Sequence, residues 1–305
     1  MLTSDMILAM LLWPALVSAA VLSLLWIPRM RSPDRAQVIA ALAVASGFAV
    51  GFWVVAGRPS FPPPVDAKEQ LPWIALAALI AAVLIGLVRK RQIAIALLCV
   101  ALGALSMRLL MRAPIQFQWS ATESIARVAV LAAGMAATVG AGLLFQARAP
   151  AKLSALAIAA LAGLSAPIML FSDSLLLAQL NATLGIAAGV LLVAVLLVRF
   201  PIPLAAAAVV SVALSWSFWV VALLFASMPI LSFALLVLAL PLALLLGLVI
   251  PNRYARTQLV APTGLVLSLV VAALAVGGLR YARSAEPAPT SDETDYGYGY
   301  DYESQ

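Results

Sequence analysis

The chain alternates long apolar runs with short polar or basic breaks. Ten runs are long enough for an α-helix to cross the roughly 30 Å of hydrocarbon in a bilayer. The predicted spans are residues 6–27, 36–56, 72–88, 93–111, 122–146, 153–171, 175–198, 202–226, 230–250 and 259–279. The pattern therefore predicts an all-α, polytopic integral membrane helix bundle over residues 1–283.

Two of these spans come from one run of 46 residues, 153–198, whose main polar break is Ser172-Asp173-Ser174. A single helix of that length would measure about 69 Å, which is more than twice the hydrocarbon thickness. We therefore interpret it as two spans joined by a tight turn. Ten spans also divide into two five-helix halves, and an odd number of helices per half would make the halves inverted repeats.

Composition assigns the chain to the membrane. Of its 305 residues, 65% are hydrophobic and 10% charged, and the mean hydropathy is +1.11. Soluble domains carry about a quarter charged residues. The net charge of +6 arises from basic residues spread in twos and threes between apolar runs, which is typical of membrane orientation and argues against nucleic-acid binding. The lipid bilayer is the expected environment.

The basic residues also predict an orientation, because Lys and Arg near span ends favour the cytoplasmic side. Turns after odd-numbered spans hold eleven basic residues and one acid, Asp34. The basic residues are Arg29, Arg31, Arg35, Arg89, Lys90, Arg91, Arg148, Lys152, Arg199, Arg253 and Arg256. We expect a bacterial-type cytoplasmic membrane with both termini periplasmic.

The first span is preceded by an acidic residue and followed by arginines. This charge order is the reverse of that in a signal peptide, so we expect an uncleaved anchor.

Two residue types limit the chemistry. The chain has no histidine and one cysteine, Cys99, which lies within a predicted helix. A histidine-ligated haem or zinc, a serine–histidine dyad and an internal disulfide are therefore excluded. We predict no cofactor and assign no catalytic residue.

Residues 107–127, which we name the charged stretch, carry the most crowded charges near membrane depth. The 15 apolar residues 93–107 reach only about 22 Å as a helix, so Arg108 must lie inside or near the outer boundary. Glu123 precedes Arg127 by four residues, which places both on one helix face. Glu123 pairs with Arg108 if their helices are adjacent; alternatively these residues and Arg112 extend separately to the headgroups.

A second polar group follows the turn at residue 173. We expect Asp173 to end a helix and Gln179 and Asn181 to form interhelical hydrogen bonds. A substrate or ion site is the alternative, because polar residues inside membranes are often functional. The charged stretch and this group together make a candidate intramembrane polar cluster.

Small residues recur at four-residue spacing in two spans. Ala43, Gly47 and Gly51 form one face, and Gly185 and Gly189 form another. Such faces let helix backbones approach closely, so packing is expected, with sliding of the two helices as the functional alternative. Three prolines within spans are candidates for broken helices of the kind transporters use: Pro14, Pro167 and Pro241.

Three functions are compatible with these features. The first is a structural or auxiliary subunit of a membrane assembly, with other membrane proteins as partners. The second is a secondary transporter, although transport favours polar residues at the bilayer midplane. The third is a transferase acting on lipid-linked substrates through Glu123, Asp173 and Arg108, which lacks the paired acids such chemistry needs.

Residues 284–305, acidic and rich in tyrosine and glycine, are expected to be disordered.

Overall fold

The computed structural model describes residues 4–58, 66–88, 91–198, 200–250 and 255–285, which are helical and contain no strand. The α-helices are α1 (Ser4–Ser23), α2 (Pro33–Ala56), α3 (Leu71–Leu87), α4 (Gln92–Leu110), α5 (Arg112–Phe117), α6 (Ala121–Arg148), α7 (Ala151–Leu170), α8 (Leu175–Leu197), α9 (Ala205–Phe225), α10 (Ile230–Val249) and α11 (Ala255–Ala285). Within this part of the chain, ten helices, all but α5, are long and apolar enough to span a membrane. The predicted all-α polytopic bundle is confirmed.

Several helix ends differ from those predicted by hydropathy. Helix α9 begins at Ala205 rather than at residue 202, because proline lacks an N–H group and favours extended backbone in the residue before it. Helix α11 continues to Ala285, six residues past its predicted end, so the first two residues of the expected tail are helical. The rest of the tail lies outside the described residues. The short helix α5 was not predicted.

The three prolines within spans do not break their helices. Pro14, Pro167 and Pro241 lie inside the continuous helices α1, α7 and α10. An interior proline removes one backbone hydrogen bond, and close neighbouring helices and local adjustments compensate for it inside a bundle. The broken helices suggested by these residues are therefore not formed.

Helix α9 is the centre of the bundle. Every residue from Ala206 to Ala222 is buried. The helix packs against α2, α3, α6 and α7, with smaller contacts to α4, α8 and α10. Its Phe218 ring meets Phe48 of α2 edge-on, with ring centroids 5.9 Å apart. The outer faces of the peripheral helices carry large exposed apolar side chains, as a lipid environment requires.

Helix neighbours agree with two five-helix halves in part. The close pair α1 and α2 corresponds to α7 and α8, and the pair α4 and α6 corresponds to α10 and α11. Helices α2 and α8, and likewise α3 and α9, meet across the two halves. Helix α11 packs on α7, however, with no comparable packing of α6 on α1 among the described residues. The helix neighbours of the two halves therefore correspond only in part, and the inverted repeat stays a prediction.

Candidate functional site

The charged stretch is built from α4, α5 and the start of α6, and α4 packs directly against α6. Glu123 Oε1 lies 2.5 Å from Arg127 Nη2, one helical turn away, and both side chains are partly exposed. Arg108 is exposed and forms no ion pair within the described residues. The Arg108–Glu123 pair is therefore not formed, because Arg127 on the same helix face satisfies Glu123 locally.

Local contacts also fix the start of α6. Ser120 Oγ accepts a hydrogen bond from the Glu123 backbone N–H at 3.3 Å, which caps the helix. Ser120 and Glu123 have the spacing of a capping box, a sequence signal we did not use. The Arg127 guanidinium carbon lies 4.8 Å from the Trp119 ring centroid, a cation–π contact. Arg112 is half-buried in α5. These contacts stabilise the N-terminus of α6. They bring no two acidic side chains of the described residues together for catalysis.

The second polar group separates into three different roles. Asp173 is exposed in the α7–α8 turn with φ of +60°, a left-handed conformation that Asp tolerates. Asn181 is fully buried, and its Nδ2 donates to Ser165 Oγ of α7 at 2.6 Å. Gln179 is half-buried and has no hydrogen bond to a described residue. Helix α8, which carries Asn181, does not pack against α4 or α6, so the candidate polar cluster is not one site.

The small face of α2 fits against two helices. A Cβ atom added at Gly51 would overlap Thr183 of α8, and one added at Gly47 would overlap Ser18 of α1 and lie 2.9 Å from Ala187 of α8. The Ser18 hydroxyl donates to the Ala43 carbonyl at 2.9 Å, which joins α1 to α2. The α2 face, defined as Ala43, Gly47 and Gly51, is therefore filled by the protein's own helices.

The two glycines of α8 behave differently. A Cβ at Gly185 would lie 2.6 Å from the Cα atom of Gly163, so α7 and α8 approach backbone to backbone there. A Cβ at Gly189 would meet no atom within 4 Å. The expected close packing is therefore absent at Gly189.

Helix α6 carries a second face of small residues that sequence reasoning did not identify. Ala126, Ala129, Ala133 and Ala137 are exposed, and a Cβ at Gly140 would meet nothing within 4 Å. At 3.6 residues per turn, these five residues lie within about 40° of one line and extend for about 21 Å. We name them the α6 stripe. Large exposed side chains border it: Ile125 on one side, Val130 on the other, and Leu144 at its C-terminal end. The three- and four-residue spacing of the small residues is visible in the sequence and could have predicted this face.

A row of buried polar groups lies on α9. Ser211, Ser215 and Trp219 follow each other at four-residue spacing and are at most 2% exposed. Their Oγ, Oγ and Nε1 atoms have no hydrogen-bond partner among the described residues. With Ile158 and Leu161 of α7 they line a gap too narrow to admit a water molecule. Each unpaired buried polar group costs about 1–3 kcal/mol, so the row is a costly feature for a purely structural helix.

The described residues contain no group of three acids, cysteines or histidines close enough to hold a metal ion. Comparison with family models, curated proteins and solved structures gives no match for this chain.

Proposed function

We propose that the protein is a structural or auxiliary subunit of a membrane assembly and that the α6 stripe receives a transmembrane helix of another subunit. The exposed stripe is the observation that carries this proposal. Lipid tails are as apolar as protein side chains, so helix association in membranes depends on close packing rather than on hydrophobicity. Small residues at regular helical spacing allow that packing.

The shape of the surface supports a helix as the occupant. The stripe is a shallow depression, because Ile125 and Val130 lie on its two sides and Leu144 lies at its C-terminal end, exposed by 73%, 72% and 53%. Its length of about 21 Å covers most of the hydrocarbon thickness. Lipid chains fit such a surface loosely and make few van der Waals contacts with it, whereas a helix with complementary side chains makes many.

Affinity purification in mild detergent tests the proposal. We expect the wild-type protein to retain at least one membrane protein, and Ala133→Leu to release it by filling the stripe. Ala19→Leu on the exposed face of α1 is the matched control and should retain the partner. Equal retention by all three proteins would refute the assignment of the stripe.

For location, the proposal places the protein in a bacterial-type cytoplasmic membrane with both termini periplasmic. The support is the excess of eleven basic residues over one acid in turns after odd-numbered spans. Single cysteines in a Cys99→Ala background test this orientation. Gln116→Cys should react with an impermeant thiol reagent in intact cells, and Lys152→Cys only after lysis; the opposite result would invert the topology.

A secondary transporter is the second candidate, and the α9 row favours it. Unpaired hydroxyl and indole groups in the most buried helix could bind a polar solute if α7 and α9 separate. A thermal-stability screen against small polar metabolites tests this. A stabilising metabolite should lose its effect in Ser215→Ala and keep it in Ser217→Ala, whose hydroxyl already donates to the Ala213 carbonyl. Lack of any stabilising compound would leave the subunit proposal as the better one.

A further inference from the structure

The loop between α1 and α2 holds one arginine in a fixed position. The loop consists of two 3-10 turns, Leu24–Trp26 and Pro28–Met30. Arg31 donates from Nε to the Leu25 carbonyl and from Nη2 to the Trp26 carbonyl, both at 3.2 Å. Its guanidinium carbon lies 5.2 Å from the Phe200 ring centroid, beyond the end of α8. These contacts order a long side chain in advance, which lowers the entropy lost on binding a ligand.

This arginine borders a cavity of about 280 Å³. The cavity is lined by Leu25, Trp26, Arg31, Leu197, Val198 and Phe200. Arginine has five N–H donors, and the two carbonyl bonds leave three for a ligand. The other lining side chains are apolar or aromatic. The site therefore combines one oriented cation with apolar walls, formed where α1 and α8 end.

The surrounding charge favours an anion. Arg29 and Arg35 are exposed in the same segment as Arg31, and Arg35 Nη1 donates to the Arg29 carbonyl at 2.9 Å. Asp34 is the acid of this segment, so residues 28–35 carry a net charge of +2 from three arginines and one aspartate. Trp26 is 72% exposed, and tryptophan is enriched where hydrocarbon meets headgroups.

We propose that this cavity binds one anionic phospholipid, with the phosphate at Arg31 and an acyl chain against Leu25 and Leu197. Arginine binds phosphate through its planar set of N–H donors. A free phosphate ion would use the cation without the apolar walls, and a zwitterionic lipid would use the walls without benefiting from the net positive charge. An anionic phospholipid uses both. This assignment does not depend on the α6 stripe.

The purified protein in mild detergent provides the test, with phosphatidylglycerol, phosphatidylcholine of the same chain length and inorganic phosphate as probes. We expect phosphatidylglycerol to raise the melting temperature most and to stay bound in native mass spectrometry. Arg31→Gln should weaken its binding about fivefold, the effect of one basic residue near a charged membrane surface. Lys152→Gln, which removes an exposed charge in another turn, is the matched control and should bind like wild type.

A second variant covers the case in which Arg31→Gln fails to fold, since Arg31 also holds two backbone carbonyls. Leu197→Trp fills the cavity from a residue that is 75% exposed and leaves Arg31 in place. It should lose phosphatidylglycerol binding without a change in melting temperature in pure detergent. Wild-type binding by Leu197→Trp, equal loss in Arg31→Gln and Lys152→Gln, or equal stabilisation by inorganic phosphate would each overturn the proposal.

Discussion

The α2 face and the α6 stripe are both made of alanine and glycine at helical spacing, yet they have opposite surroundings. The α2 face lies against α1 and α8, and Gly47 and Gly51 have no room for a Cβ atom. The α6 stripe is exposed, and a Cβ at Gly140 would meet no atom within 4 Å. The same pattern of small residues is therefore covered by the protein's own helices on α2, whereas no described residue covers it on α6.

The difference shows what hydropathy leaves out in a membrane protein. Between their polar ends both helices are almost entirely apolar, so hydropathy does not indicate which face is buried there. Side-chain size is informative instead, because lipid fills the space around large side chains easily and helices compete well for flat, small-residue surfaces. The exposed face of α1 shows the alternative: it carries Leu8, Trp13 and Leu16, as expected for contact with lipid.

The largest effect is expected from filling the α2 face. Gly51→Leu places four carbon atoms where Thr183 already lies, so α2 and α8 must move apart. Overpacking of a tight interior typically costs 1–3 kcal/mol, and here we expect about 3 kcal/mol or more. Thermal denaturation of the purified protein in mild detergent measures it. An unchanged melting temperature would mean that α2 and α8 are not in close contact.

A smaller effect of opposite sign is expected at Gly189. The position has space for a Cβ, and alanine is favoured over glycine inside a helix by about 0.5–1 kcal/mol. Gly189→Ala should therefore raise the unfolding free energy slightly, whereas Gly185→Ala should lower it, because its Cβ would overlap the Gly163 backbone. Destabilisation of similar size by both variants would show that the space at Gly189 is also filled.

Charged residues at the start of the α6 stripe should contribute less to the free energy of unfolding than the glycines discussed above. Glu123 and Arg127 form a partly exposed pair one turn apart, a type worth about 0.3–0.5 kcal/mol. Glu123→Gln should lower the unfolding free energy by about that amount, and the effect should add to that of Arg108→Gln because the two residues are not paired. A strongly non-additive double variant would reveal a coupling between them.

The smallest effect on stability is expected from filling the α6 stripe. Ala133→Leu adds bulk to an exposed position, so the purified chain should unfold within about 0.5 kcal/mol of wild type. Denaturation alongside Gly51→Leu provides the direct contrast. A loss as large as that of Gly51→Leu would show that another part of this chain covers the stripe.

The sequence was sufficient to predict the helices, but it was insufficient to predict which side chains and helices contact each other. Run lengths and basic breaks predicted the ten helices, and Ser172-Asp173-Ser174 marked the α7–α8 turn, where Asp173 adopts a left-handed conformation. The partner of Glu123 could not be read in the same way, since the competition between Arg108 and Arg127 depends on side-chain reach. Gly185 and Gly189 share one spacing signal, yet only Gly185 meets the backbone of another helix, and spacing alone does not determine where two helices touch.

The burial of α9 also has a consequence for the order of assembly during synthesis. This helix is the eighth span to emerge, yet it contacts α2, α3 and α4 of the first half as well as α7 and α10 of the second. The earlier spans must therefore leave an opening for it, and the α10–α11 pair can close the bundle over α6 and α7 only after α9 has entered. A nascent chain stopped before α9 would expose the inner faces of α2, α3 and α6 to lipid, so helix insertion and final packing are separate events in time.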